Sequence, residues 1–214
     1  MLDKIKAVFY YIARIFVALV CYPYFRVKAY GKENIPKKGR LIVAANHFSY
    51  LDPLTLGIAF PRRIHYIMTA VYYEKVILRQ LCFLLDTIPI GEGLQVSAYK
   101  KTMRVLSKEG VVGIFPEGQR SRAGFLLEAR KGVGVYALRS KAPIVPAAIV
   151  GTREALPAHS KFPKPHKVKI YYGKPLHFSE DTKPEEVSDA IKREIAKLFI
   201  ENGYEDYVKE EERE

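Results

Sequence analysis

In Asn46-His47-Phe48-Ser49-Tyr50-Leu51-Asp52, an imidazole and a carboxylate stand five positions apart, just after the apolar run Leu41–Ala45. A histidine at a strand end can be held by a carboxylate through one ring nitrogen while the other takes a proton from an alcohol. Asp52 reaches back to His47 if the intervening residues make a tight turn. The competing readings are that Asp52, ahead of Pro53, only caps a helix and that His47 is structural. A second run, Phe115-Pro116-Glu117-Gly118-Gln119-Arg120-Ser121-Arg122, ends another apolar stretch in a turn. Gly118 allows close backbone approach there, and Arg120 and Arg122 offer planar donor forks suited to phosphate. The bland alternative is a charged, solvated loop. Together the two runs describe an enzyme that deprotonates a hydroxyl while holding an anion nearby.

Such groups need strands that end on one edge of a sheet. Leu41–Ala45 and Val111–Phe115 have the continuous apolar character of strands buried on both faces. Ile64–Thr69, Thr87–Ile90, Pro143–Val150 and Val168–Tyr172 read as further strands, and residues 31–39 as a connector. Helices are expected over Asp52–Ala59 and Tyr73–Leu85, with Tyr73–Leu85 read as a core helix in preference to the wall of an acyl-chain groove. Val96, Tyr99, Met103 and Leu106 recur at helical spacing up to Gly110, and Lys131–Ser140 reads as a helix despite its glycines. Pro184 opens a last helix with the stripe Val187, Ile191, Ile195 and Leu198, closed by Gly203. This alternation predicts an α/β fold: one layered domain with a mostly parallel, mixed sheet flanked by helices, its chemistry on loops at the strand ends. The expected organisation is a hydrophobic membrane-associating helix over residues 1–26, the domain over 27–204 and an acidic tail over 205–214.

Hydrophobic residues make up 49% of the 214, which excludes a disordered chain. The 35 basic and 23 acidic residues give a net charge of +12, pointing to an anionic partner. No zinc-ligand spacing, helix-turn-helix signal or RNA-binding aromatic motif supports nucleic acid. The basic balance instead accompanies a nearly unbroken apolar run from Ala7 to Phe25, which favours an anionic membrane surface. As a helix, about nineteen residues at roughly 1.5 Å each reach about 28 Å, close to the hydrocarbon thickness. A signal peptide would need a small-residue cleavage site, which Cys21-Tyr22-Pro23-Tyr24 does not supply. A spanning helix would place Arg14 near its middle, at roughly 2.5–3.5 kcal/mol on insertion scales. A helix lying in one leaflet lets Arg14 snorkel and puts Tyr10, Tyr11, Tyr22 and Tyr24 at the interface, which is the preferred reading. Cys21 and Cys82 stand in apolar surroundings without metal-ligand spacing and read as buried thiols in a reducing compartment.

Asn46, His47 and Asp52, followed by Phe115 to Ser121 and then Ile144-Val145-Pro146-Ala147-Ala148-Ile149, resemble in content and order the first, third and fourth blocks of the glycerolipid acyltransferase family, of the 1-acylglycerol-3-phosphate acyltransferase type. The resemblance runs from about residue 25 to 180 and extends to the apolar N-terminal helix. It implies that His47 is the general base and Asp52 its orienting partner. Glu117 and Gly118 would position the acceptor's glycerol, and Arg120, with Ser121 and Arg122, its phosphate. The acceptor implied is a lysophospholipid, namely lysophosphatidate, which acylation would turn into phosphatidate; the donor implied is acyl-CoA or acyl-carrier protein, with no metal and no other cofactor. The place of action implied is the cytoplasmic face of the cell membrane.

One block departs. Where the family's second block carries a basic residue, this chain has Ile88-Pro89-Ile90-Gly91-Glu92-Gly93. Either Lys100, Lys101 or Arg104 supports the phosphate instead, or the acceptor is another lysolipid or a headgroup precursor. A hydrolase and a non-catalytic membrane-binding protein are the rivals from other classes; the first lacks a G-x-S-x-G nucleophile elbow.

Overall fold

The computed structural model describes residues 1–157 and 159–212. Seven strands form one sheet: β1 (Lys28–Tyr30), β2 (Leu41–Ala45), β3 (Ile64–Thr69), β4 (Ile88–Ile90), β5 (Val111–Ile114), β6 (Ile144–Val150) and β7 (Lys169–Tyr172), in the order β1-β7-β6-β2-β5-β3-β4. The five strands from β6 to β4 are mutually parallel; β7 runs antiparallel to β6 and pairs in parallel with β1. The mixed, mostly parallel sheet expected from the sequence is therefore present, with the added strand β1 in Val27-Lys28-Ala29-Tyr30.

The side chains of β2 alternate between two helical layers. Leu41, Val43 and Ala45 join Cys21 and Phe25 of α1 (Leu2–Phe25) and Leu56, Ile58 and Ala59 of α2 (Asp52–Ala59). Ile42 and Ala44 face the other layer, built from α4 (Gln95–Ser107), α5 (Gly132–Ser140) and α7 (Pro184–Glu201). That burial on both faces is why the strand reads as an unbroken apolar run. From β2 the chain crosses over α2 towards β3; from β5 it crosses over α5 in the opposite direction to β6. The ends of the adjacent strands β2 and β5 thus frame a topological switch point, where α/β sheets open a crevice for ligands.

Pro146 lies inside β6, where a missing N–H would ordinarily break a ladder. Its ring packs against Gly173, at which a Cβ would meet Pro146 Cγ at 2.8 Å, and its carbonyl accepts from Gly173 N at 2.9 Å just past the end of β7. The proline therefore faces the point where regular pairing with β7 has stopped.

α1 is fastened to the domain along its length. Lys6 Nζ donates to Asp86 Oδ1 at 3.0 Å, the Tyr10 hydroxyl accepts from Ile64 N at 3.2 Å, and Tyr24 donates to the Pro163 carbonyl at 3.0 Å. Arg14 does not snorkel to water as expected. Its guanidinium donates to the Ile58 carbonyl at 3.0 Å, in the last turn of α2, where the helix dipole favours a cation. The outward face of α1 carries Val8, Ile15, Phe16, Leu19 and Val20, each at least 60% exposed.

The Tyr73–Leu85 segment also departs from its expected form. A 3-10 turn covers Ala70–Tyr73 and α3 spans Val76–Leu85. It is not a core helix, because Cys82 is its one buried residue and Val76, Ile77, Leu81 and Phe83 are exposed beside α1. Both cysteines are free and buried. In α7, Phe199 completes the buried stripe with Val187, Ile191 and Ile195, where Leu198 was expected. A short helix, α6 (Thr152–Ala155), follows β6. The acidic segment folds back: Val208 is buried, and Leu126 N donates to the Tyr207 carbonyl at 2.8 Å. Arg213 and Glu214 of that segment lie outside the described residues.

Candidate active site

β2 ends at Ala45, and the next residue locks the strand end. Asn46 is fully buried; its side-chain amide donates to the Ile149 carbonyl at 3.0 Å and accepts from Ile149 N at 2.7 Å. This paired contact ties β2 to β6 and fixes where the chain leaves the sheet. His47 follows, and the turn to Asp52 closes on a single carboxylate oxygen. Asp52 Oδ2 accepts from Phe48 N at 2.7 Å and Ser49 N at 2.7 Å, and pairs with His47 Nδ1 at 2.8 Å. Asp52 is not a helix cap, since its oxygen bonds the amides before the helix and not those inside it. With a proton on Nδ1 directed at a fully buried carboxylate, the imidazole keeps Nε2 as its proton-accepting atom. The ring, 19% exposed, lies 4.2 Å from the Phe115 ring at an interplanar angle of 19°. Phe115 in turn stacks on Tyr66. His47 is thus held by a hydrogen bond on one side and by an aromatic face below.

The loop after β5 is bonded to the same turn. Glu117, buried, accepts from His47 N at 2.6 Å through Oε1 and from Leu127 N at 3.0 Å through Oε2. Ser121 N donates to the His47 carbonyl at 2.7 Å. Burial pushes the Glu117 carboxyl up to about 8, and the Asp52 charge adds to the rise; the two backbone amides pull the other way without overcoming it. Gly118 has φ 67°, and a Cβ there would meet Arg130 Nε at 2.5 Å. Glycine is required both for the left-handed backbone and for the guanidinium packed against it.

Arg120 lies over Tyr50, 3.6 Å from the ring centroid, and donates from Nη2 to the Tyr50 hydroxyl at 2.9 Å. Tyr50 belongs to the turn between His47 and Asp52, so the Arg120 guanidinium rests on the segment that carries His47. The Tyr72 hydroxyl, bonded to that of Tyr50, is pushed up to about 12, first by burial and then by that bond.

The structure brings His47, Asp52, Glu117, Gly118 and Arg120 together. Ser121 is present through its amide, while its hydroxyl donates to the Phe125 carbonyl at 2.7 Å; Arg122 is exposed. Lys101 is directed elsewhere: its Nζ lies 2.8 Å from the Thr87 carbonyl and 3.1 Å from Asp86 Oδ1, at the start of β4, three strands across from β2. Lys100 and Arg104, on the same helix α4, are exposed. The Asp86 carboxyl is held well below the usual carboxylate range by hydrogen bonds from His65, Lys6 and Lys101. Tyr50, Tyr72, Phe115 and Arg130 enter the site without having been singled out. The interleaved aromatic in the histidine–aspartate turn was the available signal for Tyr50; nothing local marks Arg130.

An imidazole paired through Nδ1 with a buried carboxylate, and a guanidinium on the adjoining loop, can remove a proton from an alcohol whose neighbouring group is anionic. Comparisons with known proteins show the family to which the chain belongs. A family model described as "Acyltransferase" matches residues 26–150. The 1-acyl-sn-glycerol-3-phosphate acyltransferase of Bacillus subtilis is 32% identical over 153 residues, 71% of this chain and 74% of that protein. The chloroplastic 1-acyl-sn-glycerol-3-phosphate acyltransferase LPAT1 of Arabidopsis thaliana is 27% identical over 176 residues, 80% of this chain and 49% of that protein, so the chain spans about half its length. The crystal structure of the 1-acyl-sn-glycerophosphate acyltransferase PlsC from Thermotoga maritima superposes with a TM-score of 0.69 at 26% identity, covering 92% of this chain and 79% of that one. With the family model matching more than half of its length and the histidine–aspartate and Phe-Pro-Glu-Gly loops joined at one sheet edge, this chain belongs to the acyltransferase family.

Proposed function

We propose that this protein transfers a fatty acyl group from an acyl thioester to the free hydroxyl of lysophosphatidate, giving phosphatidate. The observation that carries the reading is the 2.8 Å contact between His47 Nδ1 and the buried Asp52 carboxylate, which leaves Nε2 as base. The acceptor hydroxyl gives its proton to Nε2 as its oxygen attacks the thioester carbonyl. That attack forms the new C–O bond; collapse of the tetrahedral intermediate restores the carbonyl, breaks the C–S bond and expels a thiolate, which takes the proton from the imidazolium. Asp52 stabilises the imidazolium between those steps, and no acyl-enzyme forms. Glu117 holds the base's loop through the His47 amide, Gly118 lets the Arg130 guanidinium pack against the loop backbone beside the acceptor, and Arg120 clamps the acceptor's phosphate. Gly91 and Glu92 leave the second loop without a cation, so Arg120 and Arg130 carry the phosphate between them. The donor is acyl-CoA or acyl-carrier protein.

The enzyme works at a lipid surface. α1 and α3 offer a continuous exposed apolar face, and α1 is bound to the domain through Lys6, Tyr10 and Arg14, which suits a helix lying in one leaflet on the cytoplasmic side. The test is transfer from a labelled acyl thioester with lysophosphatidate, other lysophospholipids or no acceptor. Product with lysophosphatidate alone supports the reading. Preference for a different lysolipid overturns the acceptor, and thioester loss independent of any acceptor makes the protein a hydrolase.

A further inference from the structure

On the side of β2 away from the Arg120–Tyr50 pair, the ends of β6 and β7 border an open cavity of about 450 Å³. Its lining sets Arg26, Lys167 and Lys169, with the His166 imidazole, against one carboxylate, Glu154, which accepts from the Tyr207 hydroxyl at 2.8 Å. The cavity opens at the sheet edge from which His47 leaves β2, one strand across. Tyr207, on its wall, has its ring 5.3 Å from that of Phe48, the residue after His47, and Val150 follows the residue that Asn46 clasps. Gly151, with φ 89°, builds the wall: any Cβ there would collide with the Lys167 carbonyl, so the basic segment lies directly against the end of β6.

Resting on the function proposed above, we infer that this cavity binds the phosphate groups of the acyl donor's pantetheine-bearing carrier. Two anionic substrates must meet at His47 without competing for one clamp. The lysolipid phosphate is held over the β5 and β3 side, next to the apolar helix α3. In the donor, the reacting carbonyl is uncharged and the phosphates sit at the far end of a flexible arm, so their site must be adjacent to the base but displaced from it. The cavity beyond β6 has that displacement and the complementary charge. The same phosphate chemistry occurs in CoA and in the prosthetic arm of an acyl-carrier protein, and the experiment separates them.

CoA binding to the full-length protein is measured by calorimetry, and donor and acceptor KM by acyl transfer, for wild type, for Lys167→Ala with Lys169→Ala, and for Lys161→Ala with Lys164→Ala as a control of equal charge outside the cavity. The cavity pair is expected to weaken CoA binding and raise the acyl-CoA KM by about tenfold or more, the scale of lost charge-assisted hydrogen bonds. The lysophosphatidate KM stays where it was, and the control pair matches wild type within about twofold. A thioester of 3′-dephospho-CoA loses the same factor with wild type and no more with the variant. If wild type ignores CoA but the cavity pair raises the KM for acyl-carrier protein, the ligand is the carrier protein's arm and the inference stands. Unchanged parameters for both donors overturn it, as does weakened binding to phosphatidylglycerol vesicles with donor KM intact, which would make the cavity a lipid headgroup site. Lys167→Ala alone, at an exposed side chain, keeps the test readable if the pair lowers stability. CoA binding is read without turnover, so its result is independent of which lysolipid is the acceptor.

Discussion

The Arg120 guanidinium rests on the Tyr50 ring at 3.6 Å and donates to the Tyr50 hydroxyl at 2.9 Å, joining the loop after β5 to the turn that carries His47. A planar cation spread over an aromatic face keeps its outer N–H groups aimed in one direction, which a free arginine on a loop does not. Tyr50 therefore sets how well the Arg120 guanidinium is preorganised for the phosphate proposed above. Tyr50→Ala is expected to raise the lysolipid KM by about fivefold to thirtyfold, as loss of a cation–π contact and a hydrogen bond to a charged group implies. Tyr50→Phe, which keeps the ring, falls between wild type and Tyr50→Ala. Steady-state kinetics with lysophosphatidate varied at saturating donor reads both; equal effects of the two variants would assign the role to the hydroxyl alone.

Glu117 makes stability fall as pH rises. Its carboxyl titrates near 8 in the folded protein against a reference value of 4.5, so between those values the native state binds more protons than the unfolded one. The contribution is complete below about 4.5 and is lost by the time the pH passes about 8, falling by about 1.4 kcal/mol for each pH unit between the two. Glu117→Gln removes the titration, so its melting temperature will vary less than that of wild type between pH 5 and pH 9. Thermal melts of both proteins across that range test this; parallel curves would contradict it.

The outward residues of α1 and α3 will decide membrane binding. Phe16 and Leu19 are 67% and 68% exposed and Ile77 is 80% exposed, so replacing them changes little inside the domain. Phe16→Asp with Leu19→Asp, or Ile77→Asp, will shift the protein from sedimenting with anionic vesicles to the supernatant, while its near-UV circular dichroism stays that of wild type. Unaltered sedimentation would place the lipid contact elsewhere.

Much of this arrangement was legible in the sequence because period and chemistry coincide. The run Leu41–Ala45 is apolar at every position since both of its faces are covered, and the polar residues directly after it mark the strand end where a crevice opens. The closure of Asp52 onto His47 was readable from their spacing. What was not readable depends on contacts distant in sequence. Arg14 looked like a misplaced charge in an apolar helix because its partner, the Ile58 carbonyl, belongs to another element. Lys101 looked free for phosphate because Asp86 is brought to it by the fold. α3 looked like a core helix because apolar composition does not distinguish burial in protein from exposure on the surface.

Asn46 illustrates a motif residue whose role is architectural. Its amide satisfies both the N–H and the carbonyl of Ile149 in a fully buried setting. Asn46→Ala leaves both groups unpaired and is expected to destabilise the protein on the order of 3 kcal/mol, since each orphaned buried group costs about 1–3 kcal/mol. Chemical denaturation measures it; a loss below about 1 kcal/mol would mean that the strand end relaxes to find other partners.

The most direct test of His47 as the base is the rate of acyl transfer to lysophosphatidate by wild type and His47→Ala at saturating concentrations of both substrates, with CoA binding measured on the same preparations. A drop of about 10²–10⁴-fold in kcat, the range for loss of a positioned general base, with CoA binding unchanged, is the expected result. Turnover of His47→Ala within a few-fold of wild type would contradict it, and the proton would then have to leave the hydroxyl by another route.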